Sequence, residues 1–231
     1  MGSTRLPGKV MMNADGQNPM LYYVINQVLS CKKIDKIVVA TTILKQDDVI
    51  VKFVKSMNLE IFRGSSEDVL DRYYKCAKKF GFSAIVRITA DCPLIDPEIV
   101  DEVIDKFDPD LYNYVSNIFP QRSYPYGTEV EIFSFTALKN AWEKAEYQPE
   151  REHVTIFIRN NADKKILNHE YTQNISHLRW TVDMVEDLDL VRAIIAKIKK
   201  RPILMKDILL LISKEPYLVN INKNIKQKII T

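Results

Sequence analysis

The sequence has few cysteines that could cross-link the chain and no long apolar run that could cross a membrane. Its three cysteines are far apart and odd in number, so neither a disulfide framework nor a cysteine-rich zinc site is indicated. No apolar run reaches the roughly 18 residues that cross a bilayer, and no apolar signal region stands at the N-terminus. We therefore expect a protein of the reducing cytoplasm that makes no contact with a membrane.

An excess of charge of one sign is also lacking. Lys and Arg number 33 against 30 Asp and Glu, a net charge of +3, which is too balanced for a nucleic-acid-binding surface. The histidines have no metal-ligand spacing. Apolar side chains are abundant, at 46% of 231 residues, enough for one large α/β domain. We expect a single domain over residues 1–231, with residues 203–231 as a C-terminal helical tail.

Segments with strand and helix patterns alternate through the first half of the chain. The patterns predict strands at 36–41, 59–62 and 84–89, a helix at 47–57, and a second helix capped by Ser65 or Ser66. Asp96 and Pro97 predict the start of the next helix. This βαβαβα order favours a mostly parallel sheet with helices on both faces and a ligand site beyond the carboxyl ends of the strands.

The second half breaks that alternation. Strands are predicted at 111–115, 128–133, 165–171 and 178–182, and helices at 135–145, 150–160 and 185–199. Residues 117–127 have no helical period and are rich in proline and aromatics, which is typical of a functional or mobile loop. The whole pattern predicts a mixed sheet flanked by helices.

The first nine residues, Met-Gly-Ser-Thr-Arg-Leu-Pro-Gly-Lys, form a glycine-bracketed loop with two cations. Gly2 and Gly8 allow close approach of the backbone to an anion, and Arg5 and Lys9 add positive charge. The spacing matches neither the P-loop nor the dinucleotide fingerprint. The loop predicts phosphate binding, with an ordinary solvated turn as the alternative.

Two aspartates are candidates for a metal site. Asp91 follows a predicted strand but leaves the capping of the next helix to Asp96, so its carboxylate needs a metal ion or Arg87 as partner. Asp183 stands three residues before Glu186 at a predicted helix start, and on local grounds that spacing favours a capping box.

Six segments in a fixed order resemble a known family. They are Met1 to Lys9, Val-Val-Ala-Thr-Thr (38–42), Arg-Gly-Ser-Ser-Glu-Asp-Val-Leu-Asp-Arg-Tyr (63–73), Arg-Ile-Thr-Ala-Asp-Cys-Pro-Leu-Ile-Asp (87–96), Glu-His-Val-Thr (152–155) and Arg-Trp-Thr-Val-Asp-x-x-Glu-Asp-Leu (179–188). Together they resemble the cytidylyltransferase family of spore coat polysaccharide biosynthesis protein F. More distantly, the chain is similar to the synthetases that make CMP-3-deoxy-manno-octulosonate and CMP-sialic acids. The resemblance implies a Rossmann-like nucleotide-diphospho-sugar transferase fold.

The same resemblance implies a reaction and its residues. CMP would move from CTP to a sugar acid or related small acceptor with release of pyrophosphate and Mg²⁺ as cofactor, in surface polysaccharide or glycoconjugate biosynthesis. Asp91 and Asp183 would hold the metal, and Arg5 and Lys9 the triphosphate. The other residues implied at the nucleotide are Gly2, Ser3, Thr4, Thr41, Thr42, Arg63 and Arg72. The family is also compatible with a homodimer.

The acceptor side has weaker candidates, each with a structural alternative. They are Arg122, Tyr126, Glu129, Glu131 and His153. The two glutamates alternate along a strand and so share one face, which is either the acceptor side or a solvated sheet surface. The alternative for His153 is an ordinary structural histidine, that for Thr41 and Thr42 a turn capped by their hydroxyls, and that for Arg72 a helix-surface ion pair with Asp68.

Two other functions fit less of the sequence. A glycosyltransferase would carry an Asp-x-Asp motif after a strand, whereas Asp108-Pro-Asp110 precedes one. A catalytically impaired binding protein would follow from a missing first strand, because members of the family carry an apolar strand ending in Ala-Arg directly before the segment that begins at Met1. We expect a shortened version of a longer protein, in which loss of that strand exposes the edges of its neighbours.

Overall fold

The computed structural model of the protein describes residues 1–161 and 165–227. The strands are β1 (Val38–Thr42), β2 (Glu60–Gly64), β3 (Ala84–Arg87), β4 (Tyr112–Ser116), β5 (Glu131–Ser134) and β6 (Lys165–Asn168). The α-helices are α1 (Met20–Leu29), α2 (Asp48–Ser56), α3 (Val69–Phe80), α4 (Pro97–Asp105), α5 (Phe135–Lys144), α6 (Gln148–His153), α7 (Ile156–Asn160), α8 (Val185–Lys197) and α9 (Met205–Lys214). Within these ranges no helix is long and apolar enough to cross a membrane.

The strands form two sheets. β1 and β2 pair in parallel, while the larger sheet has the order β3, β5, β4, β6. β5 is antiparallel to both of its neighbours, and β6 is parallel to β4. Because β5 returns alongside β4 through the loop at 117–127, parallel and antiparallel pairings are equally frequent among the described strands. The predicted mixed sheet flanked by helices is confirmed, whereas the expectation of mostly parallel pairing is wrong for the described strands, because β5 is antiparallel to both of its neighbours.

Alternate residues of the central strands fill two apolar layers. On one face, Tyr114 and Phe133 pack with α3, α5 and α7. On the other, Val115 and Ile132 pack with α4, α8 and α9. Burying one large apolar side chain stabilises the fold by about 1.5–3 kcal/mol, so these layers hold the sheet and the loops at its edge in place.

Helix α1 was not predicted, although its buried residues recur at helical spacing. Leu21 and Ile25 pack against Ile50 and Val54 of α2. The buried Gln27 donates to the carbonyl of Ile95 at 2.8 Å, which ties α1 to the segment before α4.

The edges of β1 and β3 that face away from β2 and β5 have no strand partner among the described residues. Residues 33–40 and 84–90 line one cavity of about 560 Å³, with mostly apolar side chains. These edges leave backbone N–H and C=O groups of β1 and β3 without a ladder partner among the described residues.

Several predicted boundaries were wrong for local reasons. Asp68, and neither Ser65 nor Ser66, caps α3 by accepting from the backbone N–H of Asp71 at 2.8 Å. The predicted helix at 150–160 is two helices, separated at Val154, where φ is 60°.

The predicted strand at 178–182 is also wrong. This segment makes a single parallel bridge, between Arg179 and Tyr126. Asp96 does cap α4, accepting from Glu98 N–H at 2.7 Å, as predicted.

Candidate active site

The N-terminal loop is fixed by its own short contacts. Leu6 is 7% exposed and anchors the loop in the main apolar core. Ser3 Oγ accepts from Leu6 N–H at 3.2 Å, and Gly8 takes φ 73° before a single 3₁₀ turn that begins at Lys9. In the part of the chain that the structure describes, no protein group accepts from the backbone N–H groups of residues 2–5. A loop with free N–H groups beside two cations is suited to an anion.

The Lys9 side chain reaches both candidate metal ligands. Its Nζ lies 2.8 Å from Asp91 Oδ2 and 2.9 Å from Asp183 Oδ1. These two distances place the two carboxylate oxygens no more than 5.7 Å apart. Arg5 adds a second cation, with Nη2 at 2.8 Å from the same Asp183 oxygen. The loop and the two aspartates, predicted from segments far apart in sequence, therefore form one cluster.

Backbone contacts hold the two aspartates together. Val182 N–H donates to the carbonyl of Asp91 at 2.9 Å, and the Thr181 hydroxyl donates to the same oxygen at 3.3 Å. Thr89 Oγ1 donates to Asp91 Oδ1 at 2.6 Å, which orients the side chain. The loop after β3 and the segment before α8 are thus joined at the point where both carboxylates project.

Asp183 is not the cap that local sequence favoured. The backbone N–H groups of Asp183 and of Met184, the N-cap residue of α8, are accepted by Asp187, while Glu186 is exposed. The Asp183 oxygens instead face Lys9, Arg5 and, at 2.8 Å, Arg179 Nη2. The capping box predicted for Asp183 and Glu186 is wrong, because Asp187, one residue after Glu186, accepts from the N–H of the N-cap residue Met184.

The charges of the cluster reinforce one another. Burial raises the pKa of Asp183, but the hydrogen bond and charge of Lys9, followed by Arg179 and Arg5, outweigh it and leave the pKa lowered. Burial lowers the pKa of Lys9, but the two carboxylates outweigh it and leave that pKa raised. Both groups are therefore charged at neutral pH.

The donor set fits a hard divalent cation. Mg²⁺ typically takes one or two carboxylates from a protein and completes its octahedron with phosphate and water. Asp91 and Asp183 share one cation already, the ammonium of Lys9, at hydrogen-bond distance. In the described residues no group of three or more His, Cys, Asp or Glu side chains is arranged to hold a metal, so a metal here would depend on oxygens from a bound ligand.

Thr41 and Thr42, predicted at the nucleotide, face a local carboxylate. Their hydroxyls donate to Asp47 Oδ2 at 2.8 and 2.7 Å. Arg63 also braces the segment after β1, donating to the carbonyl of Thr42 at 2.9 Å and to Asp48 at 2.7 Å. The structure does not bring these three residues into contact with Asp91 or Asp183.

Arg72 lies against the cavity between β1 and β3. Its Nη1 donates to the carbonyl of Ser65 at 2.6 Å, and its buried Nε has no partner among the described residues. The alternative ion pair with Asp68 is wrong, because Arg151 takes that carboxylate, with Nε at 3.0 Å.

Three of the acceptor-side candidates form a second cluster. Arg122 pairs with Glu129 Oε1 at 2.8 Å and stacks on the Tyr126 ring, 4.0 Å from its centroid. The other Glu129 oxygen lies 3.4 Å from Cys92 Sγ, next in sequence to Asp91. Burial, with the charges of Glu129 and Asp91, raises the pKa of the Cys92 thiol, so it stays protonated and serves as buried filler. This cluster therefore adjoins the carboxylate pair.

Glu131 is buried and engaged on both oxygens. Tyr114 and Thr155 hydroxyls each donate to Oε1 at 2.6 Å, and Arg87 pairs with Oε2. Only 2% of Glu131 is exposed, so neither the acceptor side nor a solvated sheet surface describes its position. His153 ends α6 two residues before Thr155 and is half-buried.

Replacing Glu131 by glutamine is expected to lower the free energy of unfolding by about 3 kcal/mol at pH 7, because Arg87 would stay buried without a counter-charge. Burial raises the pKa of Glu131, but Arg87 and then the Thr155 and Tyr114 hydroxyls outweigh it and leave the pKa lowered. A group whose pKa is lowered on folding stabilises above its unfolded pKa, and that stabilisation is lost as pH falls. Urea unfolding should therefore show the full difference at pH 7 and a shrinking one below pH 4.5, the ordinary pKa.

The matched control is Glu143→Gln, on the exposed surface of α5, with 49% of its side chain accessible. It should leave the free energy of unfolding nearly unchanged at both pH values. A Glu131→Gln penalty that stays constant from pH 7 to pH 3 would contradict the argument.

Sequence reasoning missed two residues of the carboxylate cluster, Arg179 and Asp187. Both stand in the last of the six segments, and Asp187 at the third position of α8 was a possible capping signal. The Asp108-Pro-Asp110 triplet is exposed in the turn before β4, where Asp108 accepts from Asp110 N–H at 2.9 Å. That triplet forms a turn and not a metal site.

A cationic loop faces a carboxylate pair at the edge of a mixed α/β sheet, and solved nucleotidyltransferases to which the protein is similar share this nucleotide-diphospho-sugar transferase fold. Comparison with known proteins narrows the class. A sequence model described as cytidylyltransferase matches residues 1–214. The chain belongs to this cytidylyltransferase family.

Individual relatives are similar to this protein over most of its length. Spore coat polysaccharide biosynthesis protein SpsF of Bacillus subtilis is 31% identical over 227 residues, which cover 94% of this chain and 92% of that protein. A solved cytidylyltransferase from Leptospira borgpetersenii superposes with a TM-score of 0.90 at 30% identity, covering 99% of this chain and 95% of that one. A CMP:2-keto-3-deoxy-manno-octonic acid synthetase solved with CTP gives a TM-score of 0.64 at 19% identity, covering 85% and 95%. The last likeness shows the fold alone, and together these findings confirm the resemblance predicted from sequence.

Proposed function

We propose that the protein transfers CMP from CTP to a sugar acid or related small acceptor and releases pyrophosphate, with Mg²⁺ as cofactor. The observation that carries the proposal is the placement of Lys9 between Asp91 and Asp183, since it unites a phosphate-binding loop with a carboxylate pair. The family supports the cytidylyl donor. SpsF, named for spore coat polysaccharide biosynthesis, supports an acceptor from surface polysaccharide or glycoconjugate synthesis.

Different residues have different roles in an in-line transfer at the α-phosphorus. Lys9 and Arg5 exchange their carboxylate partners for the β- and γ-phosphates and stabilise the departing pyrophosphate. The N–H groups of residues 2–5, which have no acceptor among the described residues, would bind the same anion. Asp91 and Asp183 would hold the metal, which would supply neutralisation of the charge on the transferring phosphate. Since positioning and charge neutralisation supply most of the acceleration in such transfers, no general base has to be assigned.

The second cluster supplies the proposed acceptor side. Arg122 is a fixed guanidinium suited to a carboxylate or phosphate, and its stacking on Tyr126 limits its orientations. Binding of an anionic acceptor would compete with Glu129 for Arg122. The proposal keeps His153 at this side and leaves Glu131 out, because both oxygens of Glu131 are already engaged in the core.

The proposed function is tested with the four nucleoside triphosphates. The protein is heated with CTP, UTP, GTP or ATP in the presence of Mg²⁺, and a ligand at 100 times its dissociation constant should stabilise it by about 2.7 kcal/mol. We expect the largest shift with CTP, and pyrophosphate release from CTP when a panel of sugar acids and sugar phosphates is added.

The other outcomes are equally informative. Stabilisation by a nucleotide sugar, with release of a nucleoside diphosphate, would indicate a glycosyltransferase instead. If no nucleoside triphosphate raises the melting temperature, the proposal is wrong and a binding role without catalysis is favoured.

A further inference from the structure

Behind Asp183, on the side away from Lys9, three buried side chains form a continuous series of hydrogen bonds. Arg179 Nη2 donates to Asp183 Oδ2 at 2.8 Å. Asp187 accepts from Arg179 Nε at 2.9 Å and from Nη2 at 3.0 Å. Asn222 Nδ2 donates to Asp187 Oδ1 at 2.8 Å. We call Arg179, Asp187 and Asn222 the support chain, and each of the three residues is at most 7% exposed.

Asp187 fixes both the main chain and the side chain of Asp183. Its Oδ2 accepts from the backbone N–H groups of Asp183 and Met184, each at 3.0 Å. The same carboxylate grips the guanidinium of Arg179 in a two-point fork, which sets the plane of that group. A displacement of Asp187 would therefore affect Asp183 both through the backbone N–H of Asp183 and through the guanidinium of Arg179.

Asn222 connects the C-terminal stretch, the segment that follows α9, to the support chain. Its second amide hydrogen goes to the carbonyl of Arg179 at 3.1 Å, so both donors are in use. A cavity of about 220 Å³ separates this stretch from the segment around Trp180 and is lined in part by Ile225. Apolar packing there is incomplete, although Leu218 is buried in the main core. Asn222 therefore shares the polar attachment of this stretch with Gln227, whose Oε1 accepts from Arg179 Nη1.

We propose that Asn222 is a positioning residue for Asp183 and tunes its affinity for the metal through Asp187 and Arg179. The inference rests on the proposed function, in which Asp183 is a metal ligand. Without the Asn222 donor, Asp187 loses one of the contacts that hold it and Arg179 gains freedom to turn. Asp183 then loses part of the support that fixes its orientation beside Lys9. Outer partners of metal ligands typically change metal affinity 10- to 100-fold.

The sharpest variant is Asn222→Asp, which keeps the size of the side chain but places an oxygen and a negative charge against Asp187. With Mn²⁺ as the spectroscopic probe, titrated in the presence of CTP, we expect its affinity to fall about tenfold or more. The KM for Mg²⁺ should rise by the same factor, while kcat at saturating Mg²⁺ changes by less than about threefold. Asn224→Asp makes the same change at an exposed position two residues away and should alter neither quantity.

A purely structural role would give a different result. It would lower the melting temperature of the variant without moving Mn²⁺ affinity or the KM for Mg²⁺. Asn222→Ala repeats the test without the added charge should the aspartate variant not fold, and unchanged Mn²⁺ affinity in a folded Asn222→Ala protein would overturn the inference alone. A wild-type protein that binds no Mn²⁺ with CTP would overturn the proposed function, and the inference with it.

Discussion

Replacing Asp183 by asparagine is expected to slow CTP-dependent pyrophosphate release about a thousandfold, equivalent to about 4 kcal/mol of transition-state free energy. Asp183 is 5% exposed and lies within hydrogen-bond distance of Lys9, Arg5 and Arg179. An amide keeps the shape but removes the negative charge that a divalent cation requires. It also leaves three cations facing one another with only Asp91 and Asp187 between them. Steady-state release of pyrophosphate at saturating CTP measures the effect.

The control for this variant is Asp189→Asn, on the outer surface of α8, the helix that follows Asp183. Asp189 has 54% of its side chain exposed, and its ion-pair partner Arg192 is at 3.4 Å. Exposed pairs of this kind contribute little, so activity and melting temperature should stay near wild type. If Asp183→Asn keeps more than a tenth of wild-type activity at unchanged Mg²⁺ dependence, the carboxylate pair is not the metal site.

The cationic loop and Asp91 could be predicted from short local patterns, whereas Asp183 was assigned from the family resemblance, since its local pattern favoured a capping box. Gly8 and Lys9 lie in a glycine-bracketed turn, and Asp91 lies just beyond a predicted strand while Asp96 takes the cap. The topology then brings loops at the carboxyl ends of strands to one edge. The direct contact of Lys9 with both carboxylates was not predicted and is seen only in the structure.

The partners of these groups could not be predicted, since they depend on which surfaces become buried. The alternation of residues predicted that Glu129 and Glu131 share one face of a strand. It did not predict that β5 lies between β3 and β4. Because that strand is central, Glu131 faces Arg87 inside the core, whereas Glu129 stays at the edge with Arg122.

The support chain has the same origin. Asn222 and Asp187 are 35 residues apart in sequence. No spacing rule predicts a contact between an asparagine in the C-terminal segment and an aspartate in the first turn of α8. Burial is what makes the contact matter, because a polar group inside the protein must find its partners there.

Gly127→Ala is expected to lower the free energy of unfolding by about 4 kcal/mol, near the upper end for a single substitution. A Cβ at this position would lie 2.3 Å from the backbone N of Thr181 and 2.5 Å from the carbonyl C of Trp180. The φ of Gly127 is +99°, which an alanine rarely adopts. Relief requires the Trp180 segment to move, and that segment leads directly to Asp183. Urea unfolding should therefore show a reduced midpoint, and the stabilisation by CTP with Mg²⁺ should be reduced as well.

Gly16→Ala separates the clash from the backbone strain. Gly16 has a similar φ of +91°, but a Cβ there would meet nothing within 4 Å. Strain alone should cost about 1 kcal/mol, so the excess in Gly127→Ala measures the close approach of the loop at 117–127 to the Trp180 segment. The Gly16 variant should keep its full response to CTP, because its turn does not contact either carboxylate. Equal losses of stability in the two variants would show that the loop and this segment are not held at the distance that places Asp183 in the site.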